Sequence, residues 1–308
     1  MDERGQGRGR GFLNSRKARL RFGRPIVAAG VLLGALSGCA DAGPESLSPT
    51  RGSAASAEPA GATVPGLIGR KYDAAHRTQW RLPPALREVS GIAVLGERVF
   101  THTDEQAVVF ELDLATGDFS PFLKLTSGGG GLVLDDFEGI AFLQDDLFLI
   151  TSRGLLFRAG GALGTGQGAT DSFDVFDTGL ADICEVEGLD TIGDTDLAIA
   201  CKNVYGEGTQ RIYAWHAERS ELRLLLELPR VAKARPSAIL VLADGYVLLS
   251  AKNALLQVFD DAGALVRSIE LDGQAHKQAE GMGLLPDGRL VIADEGGKKG
   301  GRISVYAP

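Results

Sequence analysis

From Pro65 onward the chain alternates short apolar runs with Gly, Asp and Asn punctuation. No stretch keeps a helical period over three turns, so the pattern predicts an all-β chain of short strands and tight turns. The runs repeat. A small or acidic residue, usually followed by Gly and then an aliphatic run, occurs at Val89-Ser90-Gly91-Ile92-Ala93, Phe137-Glu138-Gly139-Ile140-Ala141, Val186-Glu187-Gly188-Leu189-Asp190, Pro236-Ser237-Ala238-Ile239-Leu240 and Ala279-Glu280-Gly281-Met282-Gly283. With Ser90, Glu138, Glu187, Ser237 and Glu280 as markers, the intervals are 48, 49, 50 and 43 residues.

A second run follows each marker (Val99–His102, Leu147–Ile150, Leu197–Ala200, Tyr246–Leu249, Leu290–Ala293). So does a third (Val108–Leu112, Leu155–Phe157, Arg211–Trp215, Leu255–Phe259, Arg302–Tyr306). Four of the units add a fourth: Phe119–Leu125, Ser172–Asp177, Leu222–Leu228 and Leu265–Leu271. Four strands per repeat of about 48 residues describe the blade of a β-propeller. The fold expected is therefore a β-propeller of five blades, each of four antiparallel strands. The fifth unit ends one strand short, and the segment Lys71–Leu82 ahead of the first marker is expected to supply it, closing the ring and removing an open edge. Six blades of about 40 residues are the alternative, for which no sixth marker exists; an open sandwich leaves the even spacing unexplained.

The ordered set Ser90-Gly91-Ile92, Asp136-Phe137-Glu138-Gly139-Ile140-Ala141, Glu185-Val186-Glu187-Gly188-Leu189 and Gln278-Ala279-Glu280-Gly281-Met282 resembles the blade starts of the SdiA-regulated domain family. The resemblance extends from about Tyr72 to Tyr306, and phytase-like esterases and NHL or gluconolactonase-type propellers begin strands in a similar way. It implies a bacterial propeller, exported or membrane-anchored, and supports fold and location far more than activity. Ser237-Ala238 departs from the pattern in the fourth repeat.

The N-terminal composition changes the picture of location. Residues 1–24 carry Arg4, Arg8, Arg10, Arg16, Lys17, Arg19, Arg21 and Arg24 against Asp2 and Glu3, and an apolar stretch runs from Pro25 to Leu36. A basic head, a short apolar stretch and small residues before a cut point describe a secretory signal, and a bilayer span needs about 20 apolar residues. Leu36-Ser37-Gly38-Cys39 resembles a bacterial lipobox, which implies lipidation of Cys39. The expected organisation is a lipoprotein signal peptide over 1–38, a flexible Ala/Gly/Ser/Pro-rich tether over 39–66 and the propeller over 67–308. The whole chain carries −8; removal of eight basic and two acidic residues with 1–38 leaves −14. Such a chain is expected to bind no nucleic acid and to meet a membrane through the lipid on Cys39. It is expected to act as a monomer at the bacterial cell envelope.

Candidate chemistry concentrates at the markers. Inner strands of a propeller surround its channel, so Ser90, Glu138, Glu187, Ser237 and Glu280 are expected to ring one mouth. Glutamates held close repel and hold protons unless a cation neutralises them. Glu138, Glu187 and Glu280 are therefore candidate ligands for Ca²⁺, a hard cation that takes oxygen donors; the other reading is architectural, with each Glu tied to neighbouring amides. The ends of the second strands are expected on the same face, making Asp104, Arg153, Lys202, Lys252, Asp294 and Glu295 candidate ligand-binding residues. Of these, Arg153, Lys202 and Lys252 are equally suited to neutralising the ring or to holding an anionic ligand.

No Gly-x-Ser-x-Gly, His-Glu-x-x-His, Cys-x-x-Cys or P-loop motif is present. Ser90 or Ser237 with His102 leaves a Ser–His–acid set open, His276 is expected near a blade mouth, and Gly128–Gly131 and Gly160–Gly168 read as loops. Cys184 and Cys201 flank the first hairpin of the third unit, where a disulfide and a pair of buried thiols are both open. Two functions follow: a module binding a small molecule or a protein at the propeller face, or a metal-dependent esterase, lactonase or phytase-like phosphoester hydrolase.

Overall fold

A computed structural model describes residues 64–308 other than 166–167, 207–208, 230, 232–233 and 297–299. The signal peptide, Cys39 and nearly all of the tether lie outside the described residues. Five sheets form five blades of four antiparallel strands around a channel. Blade 1 runs Val89–Leu95, Arg98–Thr103, Val108–Leu112 and Phe119–Leu125 from channel to rim, and blade 2 runs Phe137–Leu143, Asp146–Thr151, Leu155–Ala159 and Asp174–Asp177. Blade 3 comprises Cys184–Ile192, Asp196–Val204, Gln210–His216 and Glu221–Leu228. Blade 4 comprises Pro236–Leu242, Gly245–Ser250, Leu255–Asp260 and Leu265–Glu270. Blade 5 takes Ala279–Leu284, Leu290–Asp294 and Arg302–Tyr306 from the C-terminus and Arg77–Arg81 from the N-terminal segment. The ring closes as the missing fourth run requires.

That closing strand pairs from Arg77↔Tyr306 to Arg81↔Arg302. Backbone bonds continue beyond it: Leu82 N–H donates to Gly301 O (2.9 Å) and Ala307 N–H to His76 O (2.9 Å). Leu67, in a short helix over Val64–Ile68, and Tyr72 are buried in the core between blades 4 and 5. One segment differs from the sequence reading. Gly160–Gly168 is not simply a loop: it holds a short helix over Ala162–Thr165, and its end begins a strand, Gly168–Thr170, that pairs in parallel with Phe119–Leu125. The outer edge of blade 1 is thereby covered by chain from blade 2, which limits edge-to-edge association. Among the described residues no helix is long and apolar enough to cross a membrane.

Apolar residues alternate to both faces of the middle strands because each blade is packed on two sides. The core accordingly divides into five clusters, one at each junction between neighbouring blades. Between blades 1 and 2, Phe100 packs edge-on against Phe122 and tilted against Phe142, with ring centroids 4.9 and 4.6 Å apart. Cys184 and Cys201, both buried, are joined by a disulfide across the first two strands of blade 3. It closes a loop of 17 residues' separation, a constraint on the unfolded chain worth about 3 kcal/mol.

Candidate functional site

The five markers share one backbone device. In each inner strand the ladder slips at the marker: Val89 and Gly91 are paired but not Ser90, and the same slip occurs at Glu138, Glu187, Ser237 and Glu280. These are β-bulges, which add an unpaired residue and turn its side chain. The glycine that follows permits close approach of the next blade. A Cβ at Gly139 would lie 2.9 Å from Leu189 N, and one at Gly188 2.9 Å from Ile239 N. The bulge recurs in all five blades and the glycine in four, with Ala238 in its place in blade 4, and both serve the packing of neighbouring blades. Neither demands a carboxylate, since Ser90 and Ser237 occupy the same position.

All five markers line one narrow cavity of about 10 Å³ at this end of the channel, room for about one water. Ser90 Oγ donates to Glu138 Oε2 (2.7 Å), and Lys202 Nζ donates to Glu187 Oε1 (2.5 Å) while lying 3.7 Å from Glu185. Ser237 Oγ donates to Ala279 O (2.6 Å), so it ties blade 4 to blade 5. Glu280 makes no hydrogen bond among the described residues and faces the cavity. Burial pushes all three glutamates up to about 8. Glu187 adds to the effect on Glu138, while Lys202 opposes it at Glu187 and Glu280. A single ammonium serves three carboxyls. Among the described residues no three His, Cys, Asp or Glu side chains are gathered closely enough to hold a metal ion as they stand.

The second-strand ends separate into distinct roles. Of the three basic candidates only Lys202 reaches the glutamates; Arg153 and Lys252 are exposed and make no ion pair among the described residues. Asp104, on the rim, has its carboxyl pushed up to about 6 by burial and by Glu88, Glu105 and Glu295, and its Oδ1 has no partner. It borders a cleft of about 240 Å³ with Glu88, Glu105, Arg87 and Phe110. Glu295 is raised by burial and by Glu88, and accepts a hydrogen bond from Gln278. Asp294 is buried: its Oδ2 lies 2.8 Å from His276 Nδ1, whose Nε2 meets Tyr306 OH at 2.5 Å. His276 therefore belongs to the interior of blade 5.

The Ser–His–acid set is not assembled. His102 is fully buried, with Nδ1 2.9 Å from Thr103 O, and its Nε2 lies over Gly91 with no partner. Burial pulls it down to about 4, keeping the ring neutral. Ser90 and Ser237 spend their hydroxyls on Glu138 and Ala279. Sequence reading missed the bulge, whose signal was present in the invariant placement of a small or acidic residue before the inner run. It also missed Asp190, a buried carboxyl farther along the channel.

One known structure supports the fold, and two more show a weaker likeness. Glutaminyl cyclase of Myxococcus xanthus superposes with a TM-score of 0.50 at 16% identity, over 74% of this chain and 95% of that one. The PQQ-bound aldose sugar dehydrogenase of Streptomyces coelicolor gives 0.43 at 13% identity, over 75% and 98%. A luciferin-regenerating enzyme gives 0.45 at 8% identity, over 75% and 95%. The glutaminyl cyclase is a β-propeller protein, and likeness at such identity is one of fold alone. No protein-family model and no curated protein matches the chain.

Proposed function

We propose that this protein is an exported, lipid-anchored binding module of the kind the SdiA-regulated resemblance implies, with a small hard cation held at the narrow end of its channel. One observation carries the reading: Glu138, Glu187 and Glu280 line one narrow cavity whose single nearby ammonium, Lys202, bonds only Glu187 of the three, and burial pushes their carboxyls up. Carboxyls so placed are under-compensated, and a divalent cation such as Ca²⁺ would supply the missing charge, with Ser90, backbone carbonyls and water able to complete its shell. The space between them suits a bare ion and excludes an ester group, which favours binding over hydrolysis at this position.

Binding requires the glutamates to close on the ion and to release protons, so affinity should rise with pH up to about 8. After chelator treatment, calcium should raise the melting temperature in proportion to the logarithm of its concentration, more steeply near pH 9 than near pH 6. Glu280→Gln should weaken the response, since it removes an anionic oxygen at nearly constant shape. No shift through millimolar calcium near pH 9 would reject the reading and leave the ring architectural.

Anchoring rests on Leu36-Ser37-Gly38-Cys39 behind a basic head and an apolar stretch. Cys39→Ser is expected to abolish fatty-acyl labelling and release the protein from the membrane fraction. Labelling equal to wild type would overturn it. The Cys184–Cys201 disulfide supports an oxidising compartment, where such bonds persist.

A further inference from the structure

The channel changes character along its length. At the end opposite the glutamates it widens into a cavity of about 600 Å³, lined by every blade. This is the size of a small-molecule pocket. Ile92, Val94, Phe142, Leu242, Met282 and Leu284 give it apolar walls. Three residues past each bulge the blades bring equivalent positions to this wall: Ala93, Ala141, Asp190, Leu240 and Gly283. Four are apolar and one is charged. A need of the architecture recurs from blade to blade, as bulge and glycine do. Asp190 does not recur.

Its carboxylate accepts hydrogen bonds from Val241 N–H (2.7 Å) and Thr191 N–H (2.8 Å). Both donors are neutral, and no basic side chain contributes to its environment. Part of its surface stays open to the cavity, while burial pushes the carboxyl up to about 6. The other charges at this mouth are committed. Arg70 donates through Nε to Gly66 O (2.8 Å) and through its guanidinium to Gly288 O, and it interacts with Asp287. Asp287 in turn pairs with Arg289 (2.6 Å). Among the described residues no opposite charge acts on Asp190, whereas Arg70 and Asp287 act on each other, and a carboxylate so placed in an apolar wall favours a desolvated cationic partner.

We infer that the wide mouth is a second ligand site, for a small organic monocation whose apolar body lies against the channel wall and whose ammonium or amidinium group meets Asp190. An apolar acid would bring a second negative charge to the same wall, and a neutral molecule would leave Asp190 unpaired. The narrow glutamate end is too tight for such a molecule, so the two sites are independent.

The test is calorimetric titration of the purified protein with hexylammonium, hexanol and hexanoate, which share a chain and differ in head group. Hexylammonium should bind in the millimolar range or tighter, hexanol at least tenfold more weakly, and hexanoate not at all. Asp190→Asn keeps shape and a carbonyl acceptor, and should erase the preference for ammonium over alcohol. Ala93→Phe, on another blade, puts a ring into the cavity and should weaken binding of both. Glu280→Gln should change neither. Hexanol binding as tightly as hexylammonium, a preference that survives Asp190→Asn, or no heat from any probe through the millimolar range would each overturn the assignment. If Asp190→Asn does not fold, the wild-type ratio of ammonium to alcohol affinity still separates a charged site from a merely apolar one.

Discussion

A chain that begins at Pro84 is expected to lose cooperative thermal unfolding. The truncation removes Arg77–Arg81, leaving the Arg302–Tyr306 edge without its five paired partners. It also removes Leu67, Tyr72 and Leu82, each buried in the core at blade 5. Burial of three such side chains stabilises by about 5–9 kcal/mol, against a net stability of about 5–15 kcal/mol for a domain. From about a third to all of the folding free energy is thus at stake. The exposed edge adds a template for association. Calorimetry with light scattering should show a broad, weak transition and early aggregation. A chain beginning at Val64 should melt like the full protein. A sharp transition within a few degrees of wild type for the shorter chain would show that the ring closes without its N-terminal strand.

The next largest effect is expected at Lys202, and it should depend on pH. Its ammonium bonds to Glu187, which is 2% exposed. Burial opposes the charge on Lys202, and Glu187, Glu185 and Glu138 together more than offset it, so the lysine is raised above its ordinary value. Removing one member of a buried pair costs about 3–5 kcal/mol when the survivor stays charged. Here the survivors can protonate. The glutamates titrate near 8 in the fold, against about 4.5 for the free side chain. Between those values the folded state therefore binds more protons than the unfolded, and stability falls as pH rises.

Loss of the ammonium lifts the glutamates further, so Lys202→Met should steepen that fall. Its cost should be small near pH 5, where the carboxyls are neutral, and approach about 3–5 kcal/mol near pH 9. Urea unfolding at several pH values measures it. Glu187→Gln in the Lys202→Met background should restore much of the loss near pH 9, because the two side chains share one interaction. A cost independent of pH would mean that the lysine acts through packing of its stem rather than through the carboxyls.

These effects mark the boundary between what the chain encodes locally and what its fold decides. The markers at intervals of 48, 49, 50 and 43 residues, the three runs behind each, and the fourth run missing from the last unit were enough to count blades and to place the closing strand at Lys71–Leu82. Short apolar runs and turn punctuation are properties of neighbouring residues, so they survive in the linear order. The register slip at each marker was hidden because a bulge is defined by the partner strand. Lys202, Arg153 and Lys252 end equivalent strands, yet only Lys202 turns to the glutamates; Arg153 and Lys252 end at the surface. Asp190 looked like one more polar residue closing an inner run. Only the ring, which sets Ala93, Ala141, Leu240 and Gly283 at the equivalent positions of the other blades, makes it the one charged member of that set. Side-chain ionisation, pairing and exposure depend on groups brought together from different blades, and those distances exist only once the ring has closed.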